Sequence, residues 1–282
     1  MIDFCNVTKH YSQTTALKNI TLEFCDNSIY CLLGRNGAGK TTLLKLIAGH
    51  INASSGIIKV GNKPVSTMQM PNCVSFIESG ASQFNMRIID LINCANNLQD
   101  NFDVEFAHRT LKKFGLGKNN KYKQLSFGMR TMVTTLLSLS SNSEIVILDE
   151  PVLGLDAIMR KRFYDMLTDS FENRPRIIII STHLIDEIAG IAEKLIIIDK
   201  GEILLKTTAN EVFEKAYSLT GITNEVMDLA SGLNIIGERS MSGFTAVTVF
   251  DKRIDAPKNI TVQPVGLQDF FINVVEGNDN EK

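Results

Sequence analysis

A glycine-rich loop constrains the fold of this chain more than any other segment. Residues 34–42 match the pattern G-x-x-x-x-G-K-T and follow a strand-length apolar run at 29–33. The leucine-rich run 43–49 comes next and spaces its apolar residues as a helix does. A strand, a glycine-rich loop and a helix in this order predict a site for the phosphates of a nucleoside triphosphate. The structural alternative is a glycine-rich turn that matches the pattern by chance.

Each residue type in the loop has a physical task. Glycines let successive backbone N–H groups turn toward phosphate oxygens, and the N-terminus of the following helix adds positive partial charge. Lys40 is predicted to reach the β- and γ-phosphates, and the Thr41 hydroxyl is predicted to ligate Mg²⁺. The residues predicted to bind the nucleotide here are Gly34, Asn36, Gly37, Ala38, Gly39, Lys40, Thr41 and Thr42.

The composition excludes several classes of protein. The 282 residues carry a net charge of -2 and show no basic patch, so nucleic-acid binding is not expected. Apolar runs such as 177–180 are far shorter than the roughly 20 residues that span a bilayer, and the first residues lack a signal-peptide pattern. The 5 cysteines form no C-x-x-C pair, which predicts buried, reduced thiols and no disulfide.

Apolar patterns along the chain predict an α/β fold. The run 20–24 alternates apolar and polar residues, as a half-exposed antiparallel strand does. Continuous apolar runs at 145–148, 176–180 and 195–198 alternate with helical segments, which indicates a parallel sheet buried on both faces. Helical spacing from residue 85 onward predicts a helical insertion. The predicted architecture is an antiparallel β subdomain, a parallel-sheet core and a helical subdomain at about 85–135.

The C-terminal part of the chain has a different pattern of predicted strands and helices. The turn at 199–202 predicts a hairpin, the run 246–250 alternates as a strand does, and 268–275 is typical of a last helix before a polar tail at 276–282. We therefore predict a nucleotide-binding domain over 1–207 and a small α+β accessory region over 208–282.

Two consecutive carboxylates follow the apolar run 145–148. Asp149 ends the predicted strand and is expected to bring a carboxylate to the Mg²⁺ shell beside Thr41. Glu150 points in another direction and is expected to polarise an attacking water as a general base. Such a string is weak evidence alone, but downstream of a phosphate loop it predicts nucleotide hydrolysis.

An ordered set of further motifs resembles the ATP-binding cassette (ABC) ATPases. Leu125-Ser126-Phe127-Gly128 resembles the signature motif, 151–156 resembles the D-loop, and Ser181-Thr182-His183 resembles the switch histidine. The resemblance implies that Ser126 and Gly128 grip the γ-phosphate of an ATP held by a second subunit. It also implies that Asp156 organises the dimer interface and that His183 contacts the γ-phosphate. A lone histidine is otherwise more often structural.

Two more positions are assigned through the same resemblance. Tyr11 matches the aromatic residue that stacks on adenine, although an exposed tyrosine at a strand end is the alternative. Glu78 stands where these proteins usually carry the Q-loop glutamine, and it would add a carboxylate near the metal. Phe127 and Met129 also depart from the common glycine and glutamine of the signature. These departures leave Lys40 and the other hydrolytic residues in place.

The resemblance covers residues 1–207 and implies an ATP hydrolase that binds ATP and Mg²⁺. It implies a head-to-tail dimer, either a homodimer or a heterodimer with a second ABC ATPase, at the cytoplasmic face of the cell membrane. A separate membrane permease would complete a transporter and would dock in a groove on this chain beside the helical insertion. Met86, Ile88 and Ile89 are residues of either this groove or the core. The chain is most similar to ATPases of bacitracin- and lantibiotic-type exporters and of the Ytr type, which suggests export of a drug, peptide or lipid-like compound.

Other functions are compatible with parts of this pattern. A soluble ABC ATPase of translation or DNA repair would share the site, but the chain has one cassette and no sustained heptads. A P-loop kinase or GTPase would make the signature and His183 coincidental. An ATP-dependent sensing module would share every site residue with a transporter, and its partner alone would distinguish it.

Overall fold

A six-stranded sheet lies at the centre of the fold in a computed structural model that describes residues 1–80 and 84–280. The order of its strands is β10 (Glu202–Thr208), β9 (Lys194–Asp199), β3 (Ile29–Leu33), β8 (Ile177–Ser181), β7 (Ile145–Asp149) and β6 (Val74–Glu78). Neighbouring strands are parallel, except that β10 forms the predicted antiparallel hairpin with β9. The parallel-sheet core is therefore confirmed.

Both faces of this sheet are buried, which explains the continuous apolar runs. In β3, Ile29, Cys31 and Leu33 belong to the core cluster that the helices cover. Tyr30 and Leu32 of the same strand belong to a second cluster on the opposite face. Because successive side chains of a strand point to opposite faces, a strand buried on both sides must be apolar throughout.

An antiparallel sheet and the first helix cover the second face. The strands lie in the order β2 (Thr14–Phe24), β1 (Ile2–Tyr11), β4 (Ser55–Val60) and β5 (Lys63–Pro64). Helix α1 (Lys40–Ile47) buries its leucines in the same cluster as this sheet. The predicted antiparallel subdomain is confirmed, and α1 is thereby anchored directly behind the phosphate loop.

Helices form the predicted insertion on the other side. They are α2 (Ile88–Leu98), α3 (Val104–Lys113) and α4 (Phe127–Ser140), with α5 (Ala157–Asn173) and the short α6 (Ile185–Ile188) following later in the chain. Ile88 is fully buried in the main core, whereas Met86 is exposed and Ile89 is half-buried. Of these three candidate groove residues, Ile88 is therefore a core residue.

A third sheet is built by the C-terminal part of the chain. Its strands lie in the order β12 (Ile235–Met241), β13 (Phe244–Phe250), β11 (Ala216–Ile222) and β14 (Thr261–Pro264). The helices of this region are α7 (Ala209–Lys215), α8 (Thr223–Ala230) and α9 (Leu267–Asn280). This arrangement is the expected α+β extension, with its own small core against α8.

Helix α9 leaves the C-terminal sheet and joins the main core. Leu267, Phe270 and Val275 are buried in the cluster that also contains β3. The helix continues to Asn280, so the polar tail predicted from 276 is helical as far as the structure describes it, and residues 281 and 282 lie outside the described residues. In this polar stretch, Glu276 pairs with Arg239, and Asp279 pairs with Arg35 and Lys200 on other elements.

The prediction of buried cysteines is wrong for three of them. Cys5, Cys25 and Cys94 are exposed, Cys73 is half-buried and Cys31 is buried, and all five thiols are free. On β1, alternation directs Phe4 into the core and leaves Cys5 on the opposite face. Burial raises the pKa of the Cys31 thiol, and the nearby Glu150 carboxylate raises it further, so this thiol stays protonated.

Candidate nucleotide-binding site

The loop between β3 and α1 has the backbone that its glycines predict. Gly37 and Gly39 have φ angles of 83° and 110°, in a region that residues with a Cβ rarely adopt. A Cβ on Gly39 would also lie 2.7 Å from the carbonyl oxygen of Ala16 on β2. Both the angle and the close approach therefore require glycine at this position.

The Lys40 side chain folds back over this loop. Its Nζ donates hydrogen bonds to the carbonyl oxygens of Gly34 at 2.7 Å and Arg35 at 3.3 Å. The side chain is 7% exposed, and Nζ lies 3.8 Å from Oε1 of Glu150. The loop thus holds a positive charge beside a cavity of about 240 Å³ that is lined by Ala16, Arg35, Asn36, Gly37, Gly39, Lys40, Thr41, Thr42 and Glu150. Its chemistry suits an anionic ligand such as a phosphate chain.

Asp149 connects α1 to the end of the parallel sheet. Its Oδ2 accepts a 2.6 Å hydrogen bond from Oγ1 of Thr41, and its Oδ1 accepts one from Oγ of Ser181. The residue is 4% exposed. A carboxylate and a hydroxyl that touch at the edge of the phosphate cavity are oxygen donors of the kind that Mg²⁺ prefers, so this pair fits the metal.

Glu78 lies next to Asp149 but makes a different contact. The two residues are paired in register across β6 and β7. The Oε1 atom of Glu78 accepts a 2.8 Å hydrogen bond from Nζ of Lys45 on α1. Its carboxylate is therefore engaged by a lysine, and its role as a metal ligand stays a prediction.

Glu150 and His183 form a hydrogen-bonded pair at the cavity. Nδ1 of His183 lies 2.8 Å from Oε2 of Glu150. Glu150 has a φ angle of 49°, a left-handed conformation that costs a non-glycine residue free energy unless its surroundings stabilise it. Its backbone N–H donates to the carbonyl oxygen of Ser181 at 3.1 Å, and its own carbonyl accepts a 2.6 Å bond from Oγ of Ser79. These neighbours hold the carboxylate between Lys40 and His183.

Four further residues contact this site, and the sequence predicts none of them individually as a site residue. Ser79 and Ser181 follow or end the strands on either side of β7, where the carboxyl ends of parallel strands meet. The strand order that brings them together is not visible in the sequence. Lys45, one helical turn after Thr41, and Arg35, inside the glycine-rich loop, could have been found from their charge and position.

The signature-like residues lie at the start of α4. Oγ of Ser126 accepts a hydrogen bond from the Met129 N–H at 3.3 Å and so caps the helix. A Cβ on Gly128 would lie 2.8 Å from the carbonyl oxygen of Gly154, so this glycine permits close packing against the segment after β7. Neither Ser126 nor Gly128 is among the residues that line the phosphate cavity.

Phe127, the first residue of α4, packs against two loops of the chain. Its ring lies beside Gly80, where a Cβ would meet Cε2 at 2.5 Å, and beside Gly154, where a Cβ would meet Cδ1 at 3.1 Å. The ring is nevertheless partly exposed. The aromatic departure from the usual signature therefore packs against the segments that follow β6 and β7.

Asp156 and Tyr11 lie away from the phosphate cavity. Oδ1 of Asp156 accepts a 2.9 Å hydrogen bond from the Met159 N–H and caps α5. Tyr11 ends β1 with a partly exposed ring, and Nζ of Lys9 lies 4.9 Å from the ring centroid. Stacking on adenine by Tyr11 and an interface role for Asp156 stay predictions.

Residues 17–153 match the family model described as ABC transporter. The lantibiotic transport ATP-binding protein SrtF of Streptococcus pyogenes is 29% identical over 208 residues, which cover 73% of this chain and 90% of that protein. The ABC transporter ATP-binding protein YtrB of Bacillus subtilis is 23% identical over 289 residues, covering 96% and 97% of the two chains.

Solved structures show the same fold. An ATP-binding subunit of an ABC transporter superimposes with a TM-score of 0.67 at 19% identity, over 75% of this chain and 91% of that chain. A dimeric ATP-binding cassette in a post-hydrolysis state with ADP and Pi superimposes with a TM-score of 0.64 at 21% identity, over 74% and 99%. Among the described residues, no helix combines the length and hydropathy needed to cross a membrane.

Proposed function

Because residues 17–153 match the ABC transporter family model, we propose that this chain is an ATPase of that family and the energy-supplying subunit of an exporter. The observation that carries this proposal is the division of the site within one chain. The phosphate cavity is lined by Lys40 and Glu150, whereas Ser126 and Gly128 start a helix that does not line it. A second copy, or a second ABC ATPase, would bring its own signature residues to this cavity.

Each residue at the cavity has a separate role in the proposed hydrolysis. Lys40 neutralises charge on the γ-phosphate as the bond to it breaks. Thr41 and Asp149 would hold Mg²⁺, and its charge would offset that of the phosphates. Glu150 accepts a proton from the attacking water, and the hydrogen bond to His183 orients its carboxylate. Positioning and charge neutralisation therefore supply the catalysis.

Exposed apolar side chains support pairing on the signature face. Phe127, Met129, Leu153 and Ile158 are all partly or largely exposed on the segments around Ser126 and Asp156. Isolated exposed apolar residues are common, but a group beside the signature residues Ser126 and Gly128 suits a surface that is covered during the catalytic cycle. Closure of the pair would bury these side chains and enclose ATP.

The permease is proposed to dock beside the helical insertion. Phe84 and Met86 are exposed here, and the Phe84 ring packs edge-on against Tyr122 with centroids 5.2 Å apart. A neighbouring cavity of about 290 Å³ is lined by Phe84, Asn85, Tyr122, Lys123 and Arg130. The proposed substrate is a drug, peptide or lipid-like compound exported from the cytoplasmic face of the membrane, and the similarity to SrtF, named for lantibiotic transport, supports the transport role.

ATP-dependent dimerisation tests the divided site. We expect Glu150→Gln to elute from gel filtration as a dimer with Mg-ATP and as a monomer without it, because ATP is bound but not consumed. Glu172→Gln removes an exposed carboxylate on α5 and is the matched control, which should remain monomeric under both conditions. A Glu150→Gln chain that stays monomeric at saturating Mg-ATP contradicts the nucleotide-sandwich mechanism for a homodimer.

Affinity purification from native membranes tests the transport assignment. We expect the tagged chain to co-purify with a protein that has several membrane spans, and a second ABC ATPase in the same complex would make the pair heteromeric. Recovery of ribosomal or DNA-repair proteins with no membrane protein would overturn the assignment in favour of a soluble ATPase.

A further inference from the structure

The C-terminal helix contacts the phosphate loop through the carboxylate of Asp279. Oδ2 of Asp279 on α9 lies 3.3 Å from Nη1 of Arg35, and its Oδ1 accepts a hydrogen bond from Nζ of Lys200. The hydrogen bond to Asp279 raises the pKa of Lys200, which therefore stays cationic. The Asp279 side chain is 30% exposed and lies between two more exposed cations.

These two cations belong to the segments that build the phosphate loop. The carbonyl oxygen of Arg35 accepts hydrogen bonds from Nζ of Lys40 at 3.3 Å and from the Ala38 N–H at 3.1 Å. Lys200 lies in the turn between β9 and β10, and the N–H of the next residue, Gly201, donates to the Ala38 carbonyl at 3.0 Å. Asp279 thus connects Arg35 of the phosphate loop to Lys200 in the turn between β9 and β10.

Helix α9 is fixed against the C-terminal sheet at the same end. A Cβ on Gly277 would lie 2.5 Å from the carbonyl oxygen of Ile236 on β12, and Gly237 leaves no space for a Cβ against Asn273. Glu276 adds an exposed ion pair with Arg239 of β12 at 3.6 Å. Since helix and strand touch through glycines, a displacement of β12 displaces α9.

We propose that Asp279 is a positioning residue for the phosphate loop and that α9 transmits the state of the C-terminal sheet to the nucleotide site. By holding the Arg35 side chain, Asp279 holds the backbone oxygen that orients Lys40. Linkage makes the effect reciprocal: nucleotide binding stabilises the docked end of α9, and whatever alters the C-terminal sheet alters nucleotide affinity. The inference rests on nucleotide binding by the single chain and not on a permease or a dimer.

Nucleotide titration of the full chain tests this role. Asp279→Asn keeps the side-chain volume and removes the charge, and we expect it to weaken Mg-ADP binding about threefold to tenfold, the range for two exposed ion pairs. Asp269→Asn removes an exposed carboxylate from the first turn of the same helix and should bind Mg-ADP as the wild type does. Titration calorimetry with Mg-ADP measures both without dimer formation or hydrolysis.

Further readouts separate positioning from a general structural effect. We expect Asp279→Asn to raise the KM for ATP while kcat and the thermal midpoint stay near wild type, because the contact is peripheral to the core. Lys200→Gln should weaken binding in the same direction, and the double variant should lose less than the sum of the single losses. The difference between wild type and Asp279→Asn should shrink at high salt.

Equal Mg-ADP affinity of Asp279→Asn and wild type would overturn the proposal, as would an equal loss in Asp269→Asn or a fall in kcat alone. Each of these outcomes is distinguishable from failure of the transport assignment, which leaves Mg-ADP binding intact and changes only the proteins that co-purify.

Discussion

At the scale of single residues, the candidate site depends on how Glu150 is held. Its backbone adopts a left-handed conformation at the end of β7, and the residues that stabilise it come from both neighbouring strand ends. Its carboxylate faces Lys40 on one side and His183 on the other. Glu150, the proposed base, is therefore oriented before substrate binds, which is what general-base catalysis requires.

Replacement of His183 separates orientation of the base from nucleotide binding. We expect His183→Ala to lower kcat by about 100-fold, because the carboxylate loses the group that aligns it, while the affinity for ATP changes little. The control is His108→Ala, which removes an exposed histidine on α3 that does not line the phosphate cavity, and it should retain wild-type kcat. Phosphate-release assays at saturating ATP measure both, and an unchanged kcat in His183→Ala would exclude a catalytic role.

At the scale of elements, the N-termini of several helices are capped by side chains. Ser126, Asp156 and Thr208 each accept a hydrogen bond from the N–H three residues later, at the N-termini of α4, α5 and α7. Two of these capping residues, Ser126 and Asp156, lie in segments that resemble motifs of ABC ATPases. Local helix chemistry and a proposed nucleotide or interface contact can therefore require the same side chain, since a capped helix start presents N–H groups to an anion.

The capping box of α7 gives a pH dependence with a defined sign. Hydrogen bonds from Thr207, Lys215 and the Thr208 N–H lower the pKa of Glu211 from 4.5 to about 2. Because the unfolded chain binds this proton more tightly, the stabilising contribution is complete above pH 4.5 and is lost as the pH falls toward 2. The carboxylate is 41% exposed, so we expect a contribution of about 1 kcal/mol or less.

Urea unfolding at pH 6 and pH 3 measures this term. Between these conditions Glu211→Gln should lose less unfolding free energy than the wild type, because glutamine keeps an oxygen acceptor at the cap but does not titrate. Glu214→Gln on the same helix should behave as the wild type does. Equal losses in all three chains would assign the acid sensitivity to other groups.

At the scale of the whole molecule, the C-terminal region and the ATPase share a core. The predicted boundary at 207 separates the motifs of the family from the rest, yet Leu267, Phe270 and Val275 pack in the same cluster as β3. The Phe270 ring also contacts Phe250 of the C-terminal sheet, with centroids 4.9 Å apart. Helix α9 therefore belongs to both parts and couples their stabilities.

Truncation of Phe270 tests this coupling. We expect Phe270→Ala to lower the free energy of unfolding by about 3 to 5 kcal/mol, since the fully buried ring leaves a cavity. Phe213→Ala on α7, where the ring is 48% exposed, should cost less than about 0.5 kcal/mol. Urea unfolding is followed with two signals: the fluorescence of a bound nucleotide analogue reports the nucleotide-binding part, and circular dichroism reports the whole chain, including the C-terminal region. Separate transitions in the wild type would contradict a shared core.

The sequence alone determined the features that depend on neighbouring residues. The phosphate loop, the apolar strands, the pair Asp149 and Glu150, and the signature-like helix start were all predicted from short segments, because phosphate binding, strand burial and helix capping are local in sequence. Tertiary structure decided what depends on strand order and helix docking. Ser79 and Ser181 meet Glu150 only because β6 and β8 flank β7, and Asp279 meets Arg35 only because α9 crosses back to the phosphate loop. Such contacts join residues far apart along the chain, and no local pattern encodes them.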